Sequence, residues 1–139
     1  MFKTLLLGVD GSEHALKAAR LAGELARCVH ADLWVVASFD PLPSYLGQPN
    51  LQAAITARLQ HAEQILQPAL EAIGETGASV KSEILEGPPA EAILSIAEVR
   101  GVDLIIMGTR GLGRLSGLLL GSQSQKVVAH AACPVLLMR

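Results

Sequence analysis

The sequence predicts a three-layer, Rossmann-like α/β/α fold, in which helices cover both faces of a parallel sheet. Apolar runs typical of buried strands alternate with helix-like segments, in the order β-α-β-α-β-α-β-α-β. The chain has 139 residues, half of them hydrophobic, which suits one folded domain spanning residues 1–139. The runs are rich in Val, Ile and Leu, as strands must be when both faces of their sheet are covered.

Five apolar runs are the predicted strands. The third run alternates between apolar and polar residues, which favours an edge strand, and the fifth closes the chain. The runs comprise residues 3–9, 32–39, 78–85, 102–107 and 134–138.

The first two helices follow from apolar residues at helical spacing. The first helix follows Ser12, a residue type that caps helix N-termini, and places Glu13 favourably in its first turn. The second covers residues 51–73 and contains Pro68. Because proline has no N–H and its ring clashes with the preceding turn, we expect a kink or a break there.

The other two helices are marked by their ends. Residues 88–101 begin with two prolines, which suit a first helical turn, and end at a glycine. Residues 122–132 form the fourth helix. Ser122 and Gln125 have the spacing of a capping box, which predicts Ser122 as the N-cap residue.

The composition excludes several classes of protein. Aromatic residues make up only 3% of the chain, too few for a platform that stacks single-stranded bases. A net charge of −2 argues against a protein that binds a phosphate backbone. No apolar run approaches the roughly 20 residues of a membrane span, and the N-terminus lacks the pattern of a signal peptide. We therefore expect no nucleic-acid partner and no membrane insertion.

Cysteine and histidine usage points to a cytoplasmic chain without a metal site of its own. Two cysteines, Cys28 and Cys133, are too few for a secreted disulfide scaffold and are interpreted as thiols in a reducing compartment. The four histidines are scattered without metal-ligand spacing. They are His14, His30, His61 and His130.

Two glycine-containing segments follow predicted strands. Residues 8–12 follow the first strand, and residues 108–122 follow the fourth. In open α/β sheets, ligands bind at the carboxyl ends of strands where the strand order reverses. Glycines let backbone amides approach an anion, and a helix that starts at Ser122 adds free N–H donors with partial positive charge. With Arg110 and Arg114 nearby, the second segment predicts a phosphate cradle.

The cradle does not match the two most familiar nucleotide motifs. No Gly-Lys-Ser or Gly-Lys-Thr occurs, so the Walker pattern is absent, and no G-x-G-x-x-G follows the first strand. The segment instead has the spacing G-x2-G-x9-G-S. Its four residues are Gly108, Gly111, Gly121 and Ser122.

With these motifs the chain resembles a universal stress protein of the small, single-domain, ATP-binding type. The resemblance covers all 139 residues and rests on VDGS at 9–12, GVDLIIMGTRG at 101–111, the glycine spacing and CPVLLMR at 133–139. It implies a five-stranded parallel sheet of order 3-2-1-4-5, with ATP across the ends of the first and fourth strands. It also implies a homodimer that pairs the last strands, through Val135, Leu136, Leu137 and Met138.

The resemblance also assigns residues to the nucleotide. Asp10 would contact the adenine or ribose side, backbone groups near Ser38 would meet the base, and Arg110 lies at a variable position of the motif. Gly8 stands where the family often has Pro or Ala, which weakens the apolar shelf under the base. Mg²⁺ would arrive with the nucleotide, held mainly by phosphate oxygens and water. The assigned residues are Asp10, Ser38, Met107, Gly108, Arg110, Gly111, Gly121, Ser122, Gln123 and Ser124.

Several alternatives stay open at this point. Asp10 could merely cap the first helix or turn, and the glycine segment could be a plain connection. Residues 40–50 read either as an ordinary surface loop or as a flap over a ligand.

The leading functional hypothesis is a dimeric, ATP-binding regulatory module of the stress response with a protein partner. No residue is placed with confidence to orient a hydrolytic water, so we expect at most slow hydrolysis. The alternatives are an interaction domain that does not use ATP and a slow ATPase or nucleotidyl-transferring enzyme.

Overall fold

The computed structural model describes residues 1–42, 45–110 and 120–139. Five strands form one sheet in which every neighbouring pair is parallel, in the order 3-2-1-4-5. Both the α/β class and the strand order are therefore confirmed. The strands are β1 (Thr4–Gly8), β2 (Asp32–Phe39), β3 (Val80–Glu86), β4 (Leu104–Gly108) and β5 (Val135–Met138).

Four helices connect the strands and cover both faces of the sheet. They are α1 (Glu13–Val29), α2 (Asn50–Ile73), α3 (Pro89–Val99) and α4 (Ser122–His130). Leu5 and Leu7 of β1 pack with α1 and α2, whereas Leu6 packs with α3 and α4. All three leucines are fully buried. A strand whose successive side chains point to opposite faces must be apolar throughout to fill both layers.

Close helix packing explains the small residues of α1. Its buried face is almost entirely alanine, together with Gly23. A Cβ added to Gly23 would lie 2.5 Å from the carbonyl oxygen of Ile73, at the end of α2. The two helices could not approach this closely with a larger residue at position 23.

Of the two helix caps predicted from the sequence, one is present in the structure and the other is not. Ser12 is the N-cap of α1, and its hydroxyl accepts a hydrogen bond from the Ala15 amide at 3.2 Å, as predicted. The capping box of α4 is wrong. Gly121 occupies the cap position with extended backbone, and no side chain caps this helix. Ser122 is already the first helical residue, and the Gln125 side-chain amide donates to the Leu120 carbonyl instead.

Pro68 does not break the second helix. The helix runs without interruption from Asn50 to Ile73, so of the two expected outcomes, a kink or a break, the break is wrong. A proline at this position removes one N–H, the donor to the carbonyl of Gln64, while the buried apolar stripe continues on both sides of it. The packing of that stripe against α1 and the sheet holds the helix together through the missing bond.

Two further features bear on partners. Among the residues that the structure describes, β5 pairs with β4 alone and forms one edge of the sheet, with all four of its residues half-buried. Within residues 1–42, 45–110 and 120–139, no helix has the length and apolar character needed to span a membrane.

Candidate functional site

A cavity of about 240 Å³ lies at the carboxyl ends of β1 and β4. These strands are neighbours, but α1 leaves β1 toward one face and α4 leaves β4 toward the other. This is the point where the strand order reverses, where open α/β sheets bind ligands.

Nine of the ten residues that the sequence assigned to a nucleotide line this one cavity; the tenth, Gly111, lies outside the described residues. The nine are Asp10, Ser38, Met107, Gly108, Arg110, Gly121, Ser122, Gln123 and Ser124.

The turn between β1 and α1 forms one wall. One carboxylate oxygen of Asp10 accepts a hydrogen bond from the Ser12 amide at 2.9 Å, so the turn-forming role considered for Asp10 is present. Gly11 has a φ of +85°, a conformation that side chains rarely adopt, and this lets the turn fold tightly. Asp10 is half-buried and lines the cavity from this turn.

Gly108 has a packing reason to be glycine. A Cβ at this position would lie 2.7 Å from the Cβ of His14 and 3.0 Å from its carbonyl carbon. The first turn of α1 therefore crosses directly over the end of β4. The Ser124 hydroxyl, which is buried, donates to the Gly108 carbonyl at 2.9 Å and fixes α4 to the same strand end.

Thr109 links three elements around the site, and it was not among the residues predicted from the sequence. Its amide donates to the Met138 carbonyl at 2.9 Å, and its carbonyl accepts from the Gly121 amide at 2.6 Å. Its hydroxyl lies 2.9 Å from Nδ1 of His14. Thr109 thus joins the end of β5, the start of α4 and the start of α1. The only signal in the sequence is a polar residue directly after a buried strand.

The start of α4 carries unused donors. The Gly121 amide is occupied by Thr109, which removes one of the donors that the sequence suggested for a phosphate. The amides of Ser122, Gln123 and Ser124 lie in the first turn, where a helix supplies no acceptor. None of the three donates to another described residue, and all three residues line the cavity.

Gln123 has a second role that sequence reasoning missed. Its side-chain oxygen accepts a hydrogen bond from the Ala90 amide at 2.9 Å, in the first turn of α3. Pro89, the first residue of α3, also lines the cavity. The N-terminal ends of α1, α3 and α4 therefore meet around one space, and each contributes a partial positive charge there.

The remaining wall is apolar. Val36, Ile93 and Met107 line it, and all three are almost completely buried. Ala37 packs on the opposite face of the sheet, as strand alternation requires, so Val36 and Ser38 are the β2 residues at the cavity.

Gly8 does not leave this wall incomplete. A Cβ at Gly8 would overlap Cδ1 of Ile93, so the end of the isoleucine side chain fills the space that a larger residue at position 8 would take. The apolar surface that was expected to be weaker at Gly8 is therefore supplied by Ile93 of α3. From sequence alone Ile93 could be recognised only as a core position of a helix.

Comparisons with known proteins agree on one family. The model of the Universal stress protein family matches residues 1–139. A relative from Thermus aquaticus, named "Universal stress protein in QAH/OAS sulfhydrylase 3'region", is 51% identical over 140 residues, which cover 100% of both chains. The resemblance seen in the motifs is confirmed.

Solved structures show the same architecture. Universal stress protein UspA from Lactobacillus plantarum superposes with a TM-score of 0.85 at 27% identity, covering 99% of this chain and 98% of that chain. A universal stress protein crystallised in complex with cAMP gives a TM-score of 0.70 at 26% identity, with 99% and 96% covered.

Proposed function

Because this chain belongs to the universal stress protein family, we propose that it binds ATP in the cavity at the ends of β1 and β4 and acts as a dimeric regulatory module in the stress response. One observation carries the proposal: the residues assigned to a nucleotide from distant parts of the sequence line a single cavity beside the free first-turn amides of α4. A relative of similar fold crystallised with cAMP supports an adenine nucleotide as the ligand class.

The apolar wall suits the base. Val36, Ile93 and Met107 offer a flat hydrophobic contact, and Ser38 lies at the end of β2, where backbone groups and a hydroxyl meet the polar edge of a purine. Asp10 lines the same cavity, and its carboxylate suits the hydroxyls of a ribose.

The start of α4 suits the phosphates. Three amides without a described protein partner belong to Ser122, Gln123 and Ser124. A helix N-terminus favours an anion by about 0.3–1 kcal/mol when exposed and up to ~2 kcal/mol when partly buried. Arg110 adds a positive charge to the same cavity. Mg²⁺ would be held by the phosphates, since the described residues include no group of three or more His, Cys, Asp or Glu placed to hold a metal ion.

The two glutamines near α4 support binding rather than rapid hydrolysis. A hydrolytic enzyme needs a residue that orients the attacking water. The Gln123 side-chain oxygen accepts from α3, and the Gln125 side-chain amide donates to the Leu120 carbonyl. Both side chains are committed to structural hydrogen bonds, so ATP turnover by this chain is expected to be slow.

The edge strand supports a homodimer. Among the described residues, β5 has a neighbour on one side only, and residues Val135–Met138 are apolar and half-buried. A bare apolar edge invites aggregation, which pairing with a second copy prevents. Because Thr109 bonds to both Met138 and Gly121, it joins the end of β5 to the start of α4. This connection offers a route by which nucleotide binding would reach the edge strand and a regulatory protein partner.

Isothermal titration calorimetry tests the proposal. The protein is titrated with ATP in excess Mg²⁺, and with GTP, adenosine and inorganic triphosphate as comparison ligands. We expect one ATP per chain, and weaker binding of adenosine and of triphosphate because each occupies one end of the site. The titration with GTP measures whether the site distinguishes adenine from guanine. Absence of heat at millimolar ATP, with the protein folded, would refute ATP binding and favour an interaction domain.

A further inference from the structure

A second cavity, of about 360 Å³, lies on the other side of the turn between β1 and α1. It lies between this turn, the start of α1 and the middle of α2, and it is open to solvent on the side of His61, Gln64 and Pro68, which are exposed. The described residues that line it include Val9, Ala15, Leu16, Ile65 and Ala69 as its apolar part and Asp10, His61 and Gln64 as its polar part.

The apolar part is a continuous surface. Val9, Ala15 and Ala69 are buried, and Leu16 and Ile65 are half-buried. Ile65 approaches the turn closely, since a Cβ at Gly11 would lie 3.4 Å from its Cγ1. The cavity therefore has a hydrophobic floor that excludes water from one side of a ligand.

The polar part combines one carboxylate with side chains that both donate and accept hydrogen bonds, and His61 and Gln64 among them are exposed. Asp10 supplies a carboxylate, of which the turn uses one oxygen. Pro68, which also lines the cavity, cannot donate to the Gln64 carbonyl, so this carbonyl lacks its helical partner. The side chains of His61 and Gln64 make no hydrogen bond to any other residue within the described part of the chain.

The described lining carries a negative charge that no lysine or arginine in it balances. Asp10 brings a negative charge, and no lysine or arginine is among the described residues that line the cavity. A cavity with an apolar floor, a carboxylate and one backbone carbonyl that lacks its helical partner fits a ligand that combines an apolar body with a positively charged ammonium group.

We propose that this second cavity binds a small organic ammonium ion, with its apolar body against Leu16 and Ile65 and its ammonium group between Asp10 and Gln64. The proposal does not depend on nucleotide binding. The two cavities do share Val9, Asp10, Ser12 and Ala15 as lining, so a ligand on one side contacts the same turn that forms the wall of the other.

The test uses three probes that share a phenyl body and differ in charge: 2-phenylethylammonium, 2-phenylethanol and 3-phenylpropionate. Each is titrated into ¹⁵N-labelled protein without nucleotide, and amide chemical shifts are followed by NMR. We expect saturable shifts at Gly11, Leu16 and Ile65 with the ammonium probe. The alcohol should bind at least tenfold more weakly and the carboxylate more weakly still.

Two variants locate the site. Ile65→Trp fills the apolar floor and should abolish the shifts, whereas Leu59→Trp adds the same side chain to α2 at an exposed position that lines neither cavity, and should leave them unchanged. Asp10→Asn should remove the preference for the ammonium probe over the alcohol, and it keeps the proposal testable if Ile65→Trp does not fold.

Three outcomes would overturn the proposal: no saturable shift with the ammonium probe, equal affinity for all three probes, or shifts that survive both Ile65→Trp and Asp10→Asn. Failure here would leave ATP binding intact, because the calorimetric titration with ATP reports on the other cavity.

Discussion

Replacing Ser122 by proline removes a single N–H donor from the proposed phosphate site while leaving a helix in place. Ser122 is the first residue of α4 and is exposed. Proline is well suited to this position because its fixed φ matches the helix and the N–H it lacks has no helical acceptor. The preceding residue, Gly121, already has extended backbone with φ −70° and ψ 161°, which is compatible with a following proline.

The size of the effect follows from the hydrogen bond that is lost. The Ser122 amide makes no hydrogen bond to a described residue, so its removal breaks nothing in the free protein. If it donates to a phosphate oxygen, its loss costs about 1.5–3 kcal/mol, the usual contribution of a hydrogen bond to a charged group. At 1.4 kcal/mol for each factor of ten, ATP affinity should fall roughly 10- to 150-fold.

The assay is calorimetric titration with ATP in excess Mg²⁺, and the matched control is Ser122→Ala. Alanine removes the hydroxyl and keeps the N–H, so the difference between the two variants isolates the amide. Thermal unfolding monitored by circular dichroism establishes that α4 and the fold survive. Binding of ATP to folded Ser122→Pro with the affinity of the Ser122→Ala control would refute the claim that this amide contacts phosphate.

Three further predictions concern stability. Gly108→Ala should lower the free energy of unfolding by about 1–3 kcal/mol because the new Cβ overlaps the first turn of α1. The control Gly47→Ala should cause no loss, because no described atom beyond its chain neighbours lies within 4 Å of the added Cβ. Urea denaturation of both variants measures the difference. Gly8→Ala should cost less than Gly108→Ala, at most about 1 kcal/mol, because the atom it overlaps is Cδ1 at the flexible end of the Ile93 side chain. Ile93→Val should relieve this overlap, so that the double variant is more stable than the sum of the single changes predicts. Asp103 accepts hydrogen bonds from two backbone amides at the start of β1, and these lower its pKa below 3.8. Its contribution should be present above about pH 3.8 and vanish as the pH falls through the lowered value, so Asp103→Asn should lower the Tm at neutral pH but not in strong acid.

These outcomes also have clear contrary results. Equal stability of the Gly108→Ala and Gly47→Ala proteins would contradict the close crossing of α1 over β4. Additive effects of the Gly8 and Ile93 changes would show that the two side chains do not compete for the same space. A Tm difference between wild type and Asp103→Asn that persists unchanged into strong acid would show that the carboxylate charge is not what stabilises the start of β1.

The strand boundaries and the location of the cavity follow from patterns that are local in sequence. Continuous apolar runs define strands buried on both faces, and breaker residues define their ends. The pairing of residues 8–12 with residues 108–122 follows from the general rule that strand ends meet at a topological switch point. The family motifs supplied the strand order, which local patterns alone leave open.

The contacts that the sequence did not predict are between residues far apart in the chain. The Gln123 side chain bonds to an amide 33 positions away, and His14 meets Thr109 across 95 positions. Periodicity and propensity describe neighbours within a few turns and carry no information about such pairs. The assignment of a cap to Ser122 failed for a related reason: the residue types fit a capping box, but the bond between Gly121 and Thr109 places the cap one residue earlier.

The glycines also show that sequence patterns do not predict contacts between distant residues. The spacing of Gly108 predicts close approach to an anion, yet the structure gives it a second reason to be glycine, the crossing of α1 over the end of β4. At Gly8, the end of the Ile93 side chain from α3 occupies the space that a Cβ would take. Sequence spacing identifies where the backbone must be free of side chains, and only the three-dimensional structure shows what occupies the space.

An NMR titration of ¹⁵N-labelled protein with ATP and Mg²⁺ tests most directly whether the phosphates bind at the start of α4. The largest amide shifts should fall on Ser122, Gln123 and Ser124, with smaller ones at Met107 and Ser38 on the side of the base. Saturable ATP binding that leaves the three amides of α4 unmoved would contradict the account, because the phosphates would then lie elsewhere on the protein.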